Sequence, residues 1–323
     1  MKRRKFIETS AMSLPLLSMF PAGLSGIARE TGKGKIEKRA LGKTGEMLSM
    51  IGFGGIVVDK ASTEEAASRV KEAIDFGINY FDVAPTYGNA EEMLGPALEP
   101  FRKDVFLACK TTQRKKDGAR KELEQSLKYA RSEYFDLYQL HAVTSLEDVD
   151  TIFAKDGALE TFVKAREEGL VKYLGFSAHS VEAAMSLMKR FEFDTILFPF
   201  NFAAWYNGNF GPQVMEEAKK QQMGILALKA MAWRRWEEGE ERNIDKTWYK
   251  PLVEKDQANK GLRFTLSHPV TAAIPPGHED LFSMALRLAT DFEPMDKDEI
   301  LAIKEKAMKT KPIFSYPMQG SEG

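Results

Sequence analysis

Short apolar runs alternate with amphipathic stretches along nearly the whole chain. Three of the runs end on a residue that carries chemistry. Ile78-Asn79-Tyr80-Phe81-Asp82 stops at a carboxylate and continues into Val83-Ala84-Pro85-Thr86-Tyr87-Gly88. Val105 to Lys110 ends in a lysine, and Phe135 to His141 ends in a histidine. Apolar runs bounded by turn residues predict buried strands. A charged group at the end of such a strand needs a partner or a role.

Taken in order, Ile36 to Met50 folds back around Gly42-Lys43-Thr44-Gly45 and predicts a β-hairpin. Leu48 to Gly55 predicts a short strand. Thr63 to Phe76 places Ala66, Val70, Ala73 and Ile74 on one face, a helix that Thr63 can cap and Gly77 ends. The pattern then repeats. Helices over Ala90–Leu98, around Leu123 and Leu127, around Phe162, and over Ser180–Lys189, Gln213–Gln222 and Pro251–Leu266 separate strands at Val105, Phe135, Tyr173, Thr195, Ile225 and Val270. Helices starting near His278 and at Lys297 close the chain. Strict alternation gives a parallel sheet, and eight units in about 250 residues match an α/β (β/α)₈ TIM barrel, here with an N-terminal β-hairpin. An open doubly wound sheet is the alternative, but no Gly-x-Gly-x-x-Gly turn marks its dinucleotide crevice. In a barrel the C-terminal strand ends meet at one mouth, which places Asp82, Lys110 and His141 together with Tyr87 just beyond.

Composition narrows the picture. The chain has 323 residues, 43% hydrophobic and 29% charged, enough for one large core. A net charge of -1 gives no reason to expect a nucleic-acid partner. Cys109 stands alone, which excludes an internal disulfide, and its place in an apolar run marks it as core. The histidines and this cysteine show no metal-ligand spacing. Residues 1–28 differ from the rest: a basic start at Lys2-Arg3-Arg4-Lys5, then a moderately apolar stretch broken by Pro15 and Pro21 and too short to span a membrane. Arg3-Arg4-Lys5-Phe6-Ile7 resembles a twin-arginine export signal, although Lys2 and Glu8 depart from the usual pattern. The organisation expected is a signal peptide over 1–28, a linker over 29–35 and a barrel over 36–323. That organisation makes the export machinery a partner, the mature protein periplasmic and free of the membrane. A non-functional leader would leave it cytoplasmic.

The four strand-end residues form a coherent set. A buried ammonium beside a tyrosine hydroxyl favours the tyrosinate and lowers its pKa from about 10. Lys110 would thereby make Tyr87 a general acid, with Asp82 holding the lysine and His141 orienting a carbonyl oxygen. Such a set protonates an oxygen that gains charge as hydride arrives. No side chain donates hydride, so a nicotinamide cofactor is required.

On these residues the chain resembles the aldo-keto reductases over its whole mature part. Leu41-Gly42-Lys43-Thr44-Gly45 and Gly52-Phe53-Gly54-Gly55 look like the family's start. Phe81-Asp82-Val83-Ala84-Pro85-Thr86-Tyr87-Gly88, with Glu91 or Glu92 and Leu94-Gly95 behind it, looks like its signature. The resemblance implies a catalytic set of Asp82, Tyr87, Lys110 and His141. It also implies NADP-dependent (or NAD-dependent) interconversion of carbonyl and alcohol. Gly54, Ser177, Lys229, Gly277 and His278 fall on its cofactor side. That side departs from the family: Ala178 replaces an asparagine, Leu197 a glutamine and Leu228 an aromatic residue, and the cations that read a 2′-phosphate are missing after Pro276-Gly277-His278. The substrate expected is a small carbonyl compound or a sugar. The eroded nicotinamide contacts leave a non-enzymatic ligand- or partner-binding barrel as the alternative. Trp233 to Lys250 is either a roof over the mouth or a surface loop with packed aromatics. His179 is a candidate substrate contact, and His268 is expected to be structural.

Overall fold

The computed structural model describes residues 29–30 and 34–317. The expected signal peptide lies outside them. Three short strands, β1 (Arg29–Glu30), β2 (Lys38–Ala40) and β3 (Met47–Ser49), pair antiparallel. The hairpin is therefore present, and Arg29–Glu30, within the segment expected as linker, adds a strand to it.

Seven parallel strands follow: β4 (Phe53–Gly54), β5 (Tyr80–Asp82), β6 (Phe106–Thr111), β7 (Phe135–Val143), β8 (Val171–Ala178), β9 (Thr195–Pro199) and β10 (Gly224–Leu228). An antiparallel ribbon of β11 (Ala232–Arg235) and β12 (Tyr249–Pro251) precedes the eighth barrel strand, β13 (Ala272–Ile274). Each barrel strand pairs with its neighbour in chain order. The seam between β13 and β4 is joined just before β4, where Ile51 bridges Ala273, Gly52 N donates to Ala273 O (3.0 Å) and Ala273 N donates to Met50 O (2.9 Å).

The helices are α1 (Thr63–Asp75), α2 (Ala90–Leu98), α3 (Lys116–Tyr129), α4 (Leu146–Phe153), α5 (Ala158–Glu167), α6 (Val181–Arg190), α7 (Phe202–Tyr206), α8 (Pro212–Lys220), α9 (Lys255–Leu266), α10 (Glu279–Thr290) and α11 (Lys297–Met308). Several differ from expectation. Ser62, not Thr63, caps α1: its hydroxyl accepts from Glu65 N while the Glu65 carboxylate accepts from Ser62 N. Pro251 opens no helix. It pairs with Ala232 on the two-stranded ribbon, where a missing N–H is tolerated, and α9 begins at Lys255. The short α4 and α7 were not expected. Each is started by a side-chain cap, Ser145 and Asn201 respectively, rather than by a long apolar stripe.

Alternation along the strands separates two cores. Phe81, Leu107, Cys109, Tyr138, Leu140 and Phe176 point out against the helices. Tyr80, Phe106, Ala108, Leu137, Leu197, Leu226 and Ala272 fill the barrel interior. Leu41 and Leu48 of the hairpin belong to this inner cluster, so the hairpin plugs the end of the barrel opposite the mouth. Asp82, Lys110 and Gln139 follow in phase one layer further along the same inward face.

The plug docks closely. Lys43 N donates to Gln222 O (3.0 Å), and Gly42 sits at φ +53 with room for no Cβ, which would lie 2.4 Å from Gly224 N. Gly42→Ala should therefore lose about 2 kcal/mol or more of unfolding free energy in urea titration. A loss below about 0.5 kcal/mol, the size of an ordinary surface change, would show that the plug is not held by this contact.

Candidate active site

Asp82 ends β5 facing into the barrel. Its register partner on β6 is Ala108, and Lys110 stands two residues further on the same face. The Lys110 ammonium forms an ion pair with Asp82 Oδ1. It also donates to Tyr87 Oη (3.3 Å) and to Val83 O (3.3 Å). Both partners of the pair are fully buried. The second carboxylate oxygen, Asp82 Oδ2, accepts from Tyr80 Oη (3.1 Å) and Gln139 Nε2 (3.0 Å). Tyr80 and Gln139 were not anticipated. Each lies two residues before an expected site residue, Asp82 and His141, so the alternation that placed those inward placed these beside them.

Tyr87 follows β5 in the turn after Pro85. Its ring meets that of His141 edge-on, with centroids 5.8 Å apart, and Lys110 Nζ lies 4.9 Å from the tyrosine centroid. The backbone at His141 is held from two sides. Arg114 Nη2 donates to His141 O (2.8 Å), and Ala142, at φ +50, donates its N–H to Ser177 Oγ (2.7 Å). His141 Nδ1 lies 3.4 Å from Thr86 Oγ1. With that hydroxyl donating to Nδ1, the ring proton sits on Nε2 and is available to a ligand.

Charge states follow from burial and neighbours. Burial pulls the Lys110 ammonium down, but Asp82 and then Tyr87 more than offset it, and the net shift is upward. Burial, followed by the field of Lys110, lowers His141 to about 2, so the imidazole is neutral. Tyr87 departs from expectation. Its hydroxyl is raised, because burial outweighs the pull of Lys110 and the Asp82 carboxylate opposes that pull. The pull of Lys110 is thus outweighed, and Tyr87 rests as the protonated phenol.

The expected cofactor residues spread around the mouth. Ser177 is buried near the end of β8, its oxygen taken by Ala142 N and its own proton uncommitted. Lys229 directly follows β10. Gly54 is in register with Asp82, and a Cβ there would lie 2.8 Å from Ile274 Cγ2; at Gly277 it would lie 2.1 Å from Ile56 Cγ2. Both glycines therefore serve close packing at the barrel seam. His278 is the N-cap residue of α10, with no side-chain cap bond and Nδ1 buried without a partner. Asp245, His278 and Glu279 approach one another closely enough to hold a metal ion, a grouping that spacing did not reveal. Glu279 is already paired with Lys246 (2.7 Å) and Arg69 (3.0 Å). His268 is structural, as expected: Nδ1 meets Phe264 O at 2.8 Å and the ring lies against Trp205. His179 lies at the mouth, its ring stacked on Phe314. Among the described residues, no helix is long and apolar enough to cross a membrane.

Comparison with known proteins bears on the family and the fold. A family model described as "Aldo/keto reductase family" matches residues 50–266. An uncharacterized oxidoreductase of Bacillus subtilis is 29% identical over 180 residues, 51% of this chain and 56% of that protein. L-galactose dehydrogenase of Arabidopsis thaliana is 32% identical over 158 residues, 44% of this chain and 49% of that one. The chain thus spans about half the length of the curated relatives it matches. Among solved structures, a holo aldo-keto reductase from Bacillus halodurans superposes with TM-score 0.67 at 22% identity, covering 87% of this chain and 98% of that one. An aldo/keto reductase from Klebsiella pneumoniae, in complex with NADP and acetate, superposes with TM-score 0.65 at 18% identity, covering 89% and 99%.

The network around Asp82 has a measurable signature. Asp82→Asn strands the Lys110 charge in the barrel and should cost about 3–5 kcal/mol in denaturant unfolding. Tyr80→Phe removes one hydrogen bond and should cost about 1–3 kcal/mol. Equal losses would show that the ion pair is not what organises the site.

Proposed function

The chain belongs to the aldo/keto reductase family, and on that premise we propose that it reduces an aldehyde or ketone with a nicotinamide dinucleotide, Tyr87 donating the proton. One observation carries the reading: the Lys110 ammonium, anchored by Asp82, lies 3.3 Å from Tyr87 Oη with the neutral His141 ring beside it. As the carbonyl oxygen gains charge, Tyr87 delivers its proton and Lys110 stabilises the phenolate left behind. His141 Nε2 donates a hydrogen bond that orients the same oxygen. In the opposite direction Tyr87, as tyrosinate, takes the alcohol proton.

The residues present fit such a cofactor. Ser177 has a hydroxyl proton free for a carboxamide, and the N-terminus of α10 has no side-chain cap beside the unpartnered His278 Nδ1. When bound, the cofactor supplies the hydride. Ser177 would hold its nicotinamide end; His278 and the amides of α10 would hold its adenosine phosphates. NADP is proposed because the Klebsiella pneumoniae structure contains it. NAD remains the alternative, because the first turn of α10 carries Glu279 and Asp280 rather than cations. Leu197, buried inside the barrel, and Leu228 would offer a nicotinamide ring only apolar contact. They favour the second reading, a barrel that binds a ligand without turning it over.

Two outcomes test the proposal. Tyr87 is held above its ordinary value, so it stays protonated through neutrality. Reduction of a carbonyl compound without a charged group should be flat with pH and fall only above about pH 10, while alcohol oxidation rises over that same range. His141, at about 2, adds no limb near pH 6. Tyr87→Phe should lower kcat about 10²–10⁴-fold. A variant as active as the parent, or no turnover of any carbonyl with either nucleotide, would favour the binding barrel. At α10, Glu279→Gln frees Lys246 and Arg69 and should tighten NADPH relative to NADH about tenfold by fluorescence titration. An unchanged ratio would place the 2′-phosphate elsewhere.

A further inference from the structure

Among the described residues, Lys229 is a cation without a counter-charge. Its ammonium makes no hydrogen bond or ion pair among the described residues; it faces only the rings of Tyr249 (5.1 Å to the centroid) and Trp248 (5.6 Å). Neighbouring lysines are different: Lys246 is paired with Glu279 and Lys250 with Glu240. Lys229 is half-buried at the rim, so its ammonium keeps some water and presents an uncancelled positive charge to whatever enters the mouth. The backbone carries a cost, since Lys229 sits at φ +66, a region that disfavours any residue with a Cβ.

A second uncommitted group lies nearby. His179 Nε2 is buried without a partner among the described residues. Its ring stacks on Phe314 (5.3 Å, 27°), and Phe314 meets Trp248 edge-on at 5.7 Å. Trp248 and Phe314 thus link the lysine to the histidine. Electrostatics agree: burial, then Lys229, lowers His179 to about 4, and burial, then Lys110, lowers Lys229 to about 8. A neutral imidazole with an N–H to donate and an ammonium with no acceptor border the mouth together, walled by flat apolar rings.

We propose that Lys229 and His179 form a carboxylate-binding subsite, so that the substrate is an aldehyde or ketone that also carries a carboxylate. The word substrate rests on the carbonyl-reduction reading above; the subsite itself does not. The ammonium pairs with the carboxylate, His179 Nε2–H donates to it, and Trp248, Tyr249 and Phe314 flank the carbon skeleton. Family resemblance assigns Lys229 to the cofactor instead, and the test separates the two.

Purified protein is titrated calorimetrically with benzoate, with and without NADPH, and assayed with 4-carboxybenzaldehyde against methyl 4-formylbenzoate. The expected result is benzoate binding that weakens about 10²-fold in Lys229→Met and Lys229→Gln and returns to within about tenfold of the parent in Lys229→Arg. NADPH affinity should hold, and the kcat/KM preference for the acid over its ester should fall by the same factor. Unchanged benzoate binding in the variants overturns the proposal. So does a loss of NADPH affinity with benzoate competing for the nucleotide, which would give Lys229 to a cofactor phosphate. If neither aldehyde is turned over but benzoate binding still depends on Lys229, carbonyl reduction fails and the carboxylate subsite stands.

Discussion

Everything at the mouth depends on one buried ion pair. Lys110 and Asp82 are both removed from water, and neither would be tolerable there alone. The pair survives because each remaining polar atom is engaged: Tyr80 and Gln139 donate to the carboxylate, and the ammonium reaches Val83 O and Tyr87 Oη. Satisfied in this way, the network fixes the tyrosine in space and settles its charge. Burial outweighs the pull of Lys110, with Asp82 opposing that pull, so the resting site holds a phenol ready to give its proton away.

The same layer shows how positive charge is distributed. Lys110 is compensated inside the barrel, whereas Lys229 at the rim has no counter-charge among the described residues. His141 and His179 are both held neutral, first through burial and then through nearby positive charge. A negative group entering the mouth therefore meets an uncancelled field together with two imidazoles able to donate without carrying charge. Polarity increases stepwise along the barrel axis, from the apolar interior cluster to the Asp82 layer to the rim.

Much of this was legible in the chain. Alternation of apolar runs with amphipathic segments placed the barrel strands, and the terminal residues of three of them converge as expected. Tyr80 and Gln139 were equally inward by phase, but nothing in a sequence marks a tyrosine within an apolar run as a hydrogen-bond donor. The upward shift of Tyr87 was also out of reach, because it depends on how far the fold takes the hydroxyl out of water, with Asp82 opposing the pull of the lysine. Short elements escaped for a different reason. The helix at Phe202–Tyr206 depends on the Asn201 cap, and the ribbon at Tyr249–Pro251 on pairing with Ala232–Arg235; neither has enough periodicity to be seen.

The hairpin plug has a consequence for solvation. Leu41 and Leu48 stop the interior at one end, which leaves the mouth as the open side of the Lys110–Asp82 layer among the described residues. Any molecule seated in the mouth acts as a cork. It lowers the local dielectric around groups it need not touch and strengthens their mutual attraction at the moment the site is filled. A hairpin far from the chemistry thereby makes the barrel a one-necked vessel, whose electrostatic grip tightens with occupancy.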